Sequence, residues 1–141
     1  MPGLLEGIAS QGYRDFEIVV VDSGSFDRTR DIARPYCDKL LRIKSADFTF
    51  GYSLNVGVTA AEGRFIAIVS AHTKPLDSSW LGDLIAPLRD PDTAMCYGKQ
   101  VGWETSKFGD IQDLGHYSYL PFRLSRGLLL CHHVPHPRAK D

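Results

Sequence analysis

The 141-residue chain is poor in cysteine, in net charge and in long apolar runs, and each shortage excludes something. Cys37, Cys96 and Cys131 are an odd number at wide spacing, which argues against a disulfide framework and fits a reducing, cytoplasmic setting. No apolar run approaches the roughly 18 residues of a membrane span, so no transmembrane segment is expected. The N-terminus has neither the basic start nor the apolar stretch of a signal peptide. Lys plus Arg is 16 and Asp plus Glu is 17, so there is no basic field for nucleic acid. The glycine-rich dinucleotide and P-loop signatures are missing, as is the G-x-S-x-G nucleophile elbow. What is present is an ordinary globular balance, 43% hydrophobic and 23% charged, in a length that suits one domain.

Strand and helix patterns alternate along the chain. Leu4, Leu5, Ile8 and Ala9 share a helix face. Phe16–Val21 is a β-branched run, apolar on both sides, as in a buried parallel strand. It ends in the turn formers Asp22-Ser23-Gly24-Ser25. A helix is expected from Asp27 to about Tyr36, with Ile32, Ala33 and Tyr36 inward and Pro35 loosening its end. Lys39–Ile43 is a second strand. Tyr52–Ala61 reads as a helix with Leu54, Val58 and Ala61 on one face, and Gly63 stands where a left-handed cap is wanted. Phe65–Val69 is the strongest strand. Ser78 or Ser79 can cap a helix carrying Trp80, Leu81, Leu84, Ile85 and Leu88. Ala94–Gly98 is a weaker strand. This order predicts an α/β fold with a mainly parallel sheet and helices on both faces. The domain spans 1–120; residues 121–141 read as a tail or an oligomerisation segment.

Ligands of open parallel sheets bind at the carboxyl ends of the strands, and two polar clusters fall there. Asp22 and Ser23 follow the first strand. Asp22 either accepts hydrogen bonds from a base or ribose, beside a helix N-terminus that favours anions, or only closes a turn. Ser70-Ala71-His72 follows the strongest strand. His72 is either a metal ligand completed by phosphate oxygens or a surface loop residue. Asn55 can bond a ligand or a loop carbonyl. Cys131, His132, His133 and His136 have the composition of a metal set, but Pro135 and Pro137 prevent regular helical presentation and no matching pair lies upstream.

Taken in order, these pieces resemble family 2 glycosyltransferases of the A-type nucleotide-sugar fold. The segments are Gln11–Ser25, Asp27-Arg28-Thr29, Asp47–Gly57, Phe65–Pro75, Ser79-Trp80-Leu81 and Tyr97–Gln100. The resemblance implies a Rossmann-like fold and a nucleotide-diphosphate sugar as partner. By this likeness Asp22 contacts uracil or ribose, with Ser23, Asn55 and Ser70 in the nucleotide-sugar site. Ser70-Ala71-His72 holds the place of the family's D-x-D motif, so His72 is expected to ligate a divalent metal. Losing both carboxylates shifts preference from Mg²⁺ toward Mn²⁺.

Three departures shape the remaining expectations. Tyr52 stands where the family's pattern allows a phosphate-binding Arg. The family's first strand, which lies centrally between the Phe16–Val21 and Phe65–Val69 strands, is missing before Leu4. The acceptor half lies beyond this chain, and neither Asp110 nor Asp113 matches the family's general base, so no catalytic residue is assigned. The chain is therefore expected to bind the donor yet transfer no sugar alone. The alternative is a non-catalytic, self-associating α/β module from a truncated gene. A receiver-like signalling domain is set aside because Asp22 has no acidic neighbours. The missing strand predicts a homodimer, with Leu128-Leu129-Leu130 of a second copy as a candidate to cover the gap.

Overall fold

The β-branched run condenses into a short strand β1, Val19–Asp22, which pairs in parallel with β2, Lys39–Arg42. These and all further elements come from a computed structural model that describes residues 2–98 and, as backbone, 130–132. Helix α1, Pro2–Ala9, precedes β1, and α2, Thr29–Ala33, joins it to β2. A 3₁₀ turn at Ser45–Asp47 leads into α3, Phe50–Ala60. Then come β3, Ile66–Ile68, and α4, Trp80–Ile85, which tightens into a 3₁₀ turn at Ala86–Arg89. Strands β4, Met95–Cys96, and β5, Leu130–His132, complete the second sheet.

The fold is mixed α/β, with two sheets rather than one. The first is the parallel pair β1–β2; the second has the order β3-β5-β4, with β5 antiparallel to both neighbours. β3 and β4 thus run parallel to each other, separated by β5. The C-terminal run that had no evident place is, at Leu130–His132, the middle strand of its own chain's sheet. Leu128, Leu129, His133, His136, Asp110 and Asp113 lie outside the described residues.

β1 and β3 do not pair. The carbonyl of Ile18 accepts from the N–H groups of Asp38 and Lys39, and that of Asp22 accepts from Ile43 N–H. Hydrogen bonding alternates along a parallel ladder. Val19 and Val21 therefore turn their N–H and C=O groups away from β2, and that edge of β1 carries no strand among the described residues.

Several elements are shorter than their patterns. Ile18 N–H bonds the Asp38 carboxylate at 2.8 Å, so the ladder starts only at Val19. α2 keeps five residues, with Ala33 fully buried; so short a helix has little macrodipole, which weakens the expected anion site. α3 has no buried residue, and Leu54, on the face it shares with Val58 and Ala61, is exposed. The helix nonetheless lies close to β1: a Cβ on Gly57 would stand 3.3 Å from Val21 Cγ2. Gly63 does not adopt the left-handed conformation. α3 ends at Ala61 in extended geometry, and Gly24 is the glycine with positive φ among the described residues.

The core forms around α4. Leu81, Leu84, Ile85 and Leu88 are buried, as their spacing predicts, and Cys96 joins them from β4. Neither serine caps α4 through its side chain: Ser79 occupies the cap position and donates its hydroxyl to Asp77 and Asp83 carboxylates. The capping acceptor comes from Gln11, whose Oε1 accepts from Leu81 N–H at 2.8 Å. Gln11 Nε2 donates to the carbonyls of Gly7 at 2.9 Å and Asp77 at 2.7 Å. With 0% exposure, this amide ties the end of α1 to the start of α4.

Replacing Gln11 by Leu removes the acceptor of the buried Leu81 N–H and the donor to Asp77 C=O, while Gly7 C=O keeps the Ser10 hydroxyl. An unsatisfied buried group costs about 1–3 kcal/mol. Urea denaturation of Gln11→Leu should show a lowered midpoint with the slope unchanged, a loss of about 1–3 kcal/mol when shift and slope are multiplied; an unchanged midpoint would remove the amide from this role.

Candidate functional site

A cavity of about 980 Å³ opens between β1 and β3. Its walls come from Val19–Asp22 on one side, Ile66–Ile68 on the other, and apolar residues of α1 and α4, including Leu5 and Ile85. At the carboxyl ends of the two strands the lining becomes polar. Asp22, Ser23 and Ser25 stand there from the β1 side, Ala71 and His72 from the β3 side, and Arg30 from α2. The apolar length of the cavity lies where the resemblance places the family's first strand, and the polar mouth is the part suited to a ligand.

Asp22 is held by the turn that follows it. Gly24 takes φ 91°, a left-handed conformation that L side chains rarely adopt. The reversal brings Ser25 N–H to 3.1 Å from Asp22 Oδ1. Ser45 closes the turn from outside, its hydroxyl donating to Ser23 C=O at 2.8 Å, and a Cβ on Gly24 would collide with that hydroxyl. Asp22 is 4% exposed. Its other oxygen, Oδ2, lies 3.9 Å from Arg30 Nε, beyond hydrogen-bond reach. Both atoms are buried, and neither has a hydrogen-bond partner among the described residues. Burial pushes the Asp22 pKa up, but the Ser25 hydroxyl and N–H, the Gly24 N–H and the Arg30 charge outweigh it. The net effect holds the carboxyl below its ordinary value.

The expected site residues divide into two groups. Asp22, Ser23 and His72 line the one cavity; Asn55 and Ser70 are not among its lining residues and are exposed. Ser70 organises its own loop: its hydroxyl lies 3.4 Å from His72 N–H, and its carbonyl accepts from Thr73 N–H and hydroxyl. His72 is exposed. The described residues contain no cluster of three or more His, Cys, Asp or Glu that could hold a metal ion. Arg30 is the site residue missed in the sequence. A cation eight positions after Asp22 carries no motif, and only the folded turn brings the two together.

A second polar knot sits at the opposite, amino ends of the strands. Lys39 Nζ lies 2.9 Å from Glu17 Oε2, 2.7 Å from Glu62 Oε1 and 2.8 Å from Ala60 C=O. Glu17 Oε1 accepts from the N–H groups of Glu62 and Gly63. The Glu62 N–H, the Lys39 ammonium and the Gly63 N–H hold the Glu17 carboxyl below its usual range, against the opposing effect of burial.

Asp22 and Glu17 thus both titrate lower in the folded chain than in the unfolded one. Unfolded carboxyls titrate near 4. The stability these groups contribute is fully present above that range and is lost as pH falls through their folded values. Thermal midpoints should hold steady between pH 7 and about 5, then drop below about 4. Asp22→Asn and Glu17→Gln should each flatten the acid limb; an unchanged limb in both variants would contradict the assignment.

The family model described as Glycosyl transferase family 2 matches residues 1–138. A PGL/p-HBAD biosynthesis glycosyltransferase of Mycobacterium tuberculosis (strain ATCC 25177 / H37Ra) is 28% identical over 120 residues. The match covers 81% of this chain and 47% of the relative. An uncharacterized glycosyltransferase of Rickettsia prowazekii (strain Madrid E) is 32% identical over 66 residues, 47% of this chain and 21% of the relative. No solved structure gives a significant match. The chain spans about half the length of the mycobacterial relative, at 47%. With the family model covering nearly every residue and the strand-end cavity in place, the chain belongs to glycosyl transferase family 2.

Proposed function

We propose that the chain binds the nucleotide part of a nucleotide-diphosphate sugar at the polar mouth of the cavity, at the carboxyl ends of β1 and β3. The observation that carries this reading is Asp22 Oδ2, a buried acceptor without a hydrogen-bond partner among the described residues, at the polar mouth of the cavity. A buried polar atom without a hydrogen bond is costly, and a base N–H or ribose hydroxyl would satisfy it. The family membership supports the choice of ligand class.

A divalent metal fits this site only with the ligand's help. His72 offers one imidazole nitrogen, and the described residues supply no further clustered ligands. The diphosphate oxygens would fill other positions, and a nitrogen ligand suits Mn²⁺ better than Mg²⁺. The metal would screen the diphosphate charge; nothing else in the proposal depends on it.

Nucleoside diphosphate with Mn²⁺ should raise the thermal midpoint. Ligand at about 100 times its dissociation constant stabilises a fold by roughly 2.7 kcal/mol. Asp22→Asn should abolish the shift, while His72→Ala should remove only the increment due to Mn²⁺. The absence of any shift at millimolar nucleotide would reject the reading.

Self-association is the second proposal. The exposed side chains of Phe26, Phe50 and Leu76, at 98%, 80% and 77% exposure, favour a homodimer. Light scattering on the eluting peak should give about twice 15.7 kDa. A monodisperse monomer at tens of micromolar would overturn it.

A further inference from the structure

We infer that Cys96 and Cys131 are a modification site: a dithiol that closes reversibly to a disulfide and clasps β5 to β4. The inference is independent of the nucleotide reading. In the antiparallel ladder of β4 with β5, the register sets Cys96 directly opposite Cys131. Opposite residues of such a ladder stand on the same face of the sheet, with Cα atoms about 4.5–5.5 Å apart. A disulfide asks for Cα atoms about 4.4–6.8 Å apart. The backbone therefore meets the requirement without moving either strand.

Cys96 identifies the face. Met95 is exposed and Cys96 is buried, packed with Leu84 and Leu88. Its thiol donates to Leu84 C=O at 2.9 Å, so this is the reduced state. The register puts Cys131 on that inner face. Cys37 belongs elsewhere. It precedes β2, in the other sheet, is half-buried, and its thiol lies 3.9 Å from Arg34 C=O. The fold thus sorts an odd number of cysteines into one facing pair and one remainder.

The oxidant is a small-molecule disulfide, for which glutathione disulfide is the probe. One protein thiol loses its proton, and its thiolate attacks the glutathione disulfide. A mixed disulfide forms, and one glutathione thiolate leaves and takes up a proton. The second protein thiolate then attacks the protein sulfur of the mixed disulfide and releases the second glutathione, which is protonated in turn. Two protein thiols are oxidised to one disulfide, and one glutathione disulfide is reduced to two thiols. β5 is the middle strand of its sheet and pairs with β3, a wall of the cavity. Bonding it to β4 ties that sheet to the α4 core and closes a loop from Cys96 to Cys131, which restricts the unfolded chain.

The full chain, folded, is treated with glutathione disulfide at mildly alkaline pH, blocked with iodoacetamide, digested without reduction and mapped by mass spectrometry. A peptide pair joined through Cys96 and Cys131 is expected, with neither residue alkylated, and dithiothreitol should return both to alkylatable thiols. In a Cys37→Ser background, the oxidised chain should unfold at a higher urea concentration than the reduced one. Adding Cys131→Ser should abolish both the joined peptides and the difference in midpoint. Should that variant fail to fold, the peptide map of the wild-type chain still decides. Cys96 and Cys131 both alkylated after the oxidant, a bond from Cys37 to either of them, or glutathione retained on Cys96 or Cys131 would overturn the inference. Joined peptides with an unchanged urea midpoint would overturn the clasp.

Discussion

The side-chain amide of Gln11 holds the architecture that the site needs. It has no solvent exposure, and all three of its hydrogen bonds go to backbone groups. Two of these partners lie 66 and 70 positions away in sequence. The backbone adds a parallel tie, Gly12 N–H to Ser78 C=O at 2.7 Å. Gly7 contributes by lacking a side chain, since a Cβ there would stand 2.8 Å from Pro75 Cδ. These contacts fix α1 against the start of α4. Leu4 and Leu5 of α1 and Leu81 and Ile85 of α4 are buried, and all four line the cavity. The position of the cavity walls therefore depends on one amide that joins segments far apart in the chain.

The two polar knots at opposite ends of the strands do different work. At the amino ends, Lys39, Glu17 and Glu62 satisfy one another and the backbone where α3 gives way to β3. That knot links β1 and β2 to the approach to β3, across a gap that no strand ladder bridges among the described residues. At the carboxyl ends, Asp22 Oδ2 and Arg30 Nε have no hydrogen-bond partner among the described residues. The first arrangement is closed and structural. The second leaves hydrogen-bonding capacity unused, which is what the proposed binding site draws on.

Local signals in the sequence carried much of this. The Leu81, Leu84, Ile85 and Leu88 spacing predicts the buried side of α4 and its 3₁₀ extension, because helical burial follows a local period. The Asp22–Ser25 turn was legible because glycine and short polar residues favour reversals. The shared face of Leu54, Val58 and Ala61 in α3 was legible too, since all three line the cavity; the close approach to β1 at the bare Gly57 was not. Long-range polar bonds left no local trace. Gln11 replaces the expected serine cap, Glu17 takes the Gly63 N–H that a left-handed cap would have used otherwise, and Asp38 ends the β1 ladder early. β5 was missed because three residues without a clear period become a strand only when β3 and β4 flank them.

Charge sets the orientation of a ligand in the proposed site. Asp22 is anionic at neutral pH, its carboxyl held below the usual range despite its burial. A diphosphate placed against it would set like charges together in a setting where water screens little. The neutral base edge or the ribose must therefore take the Asp22 end. The diphosphate then points away from β1, toward the loop after β3, where His72 lines the same cavity. The nucleotide would lie across the gap between the two sheets, with its uncharged end on the fixed carboxylate and its charged end at the exposed loop. In that proposed orientation a rigid, buried carboxylate would meet the neutral end of the ligand, and an exposed imidazole would meet the charged end, where solvent cations have access.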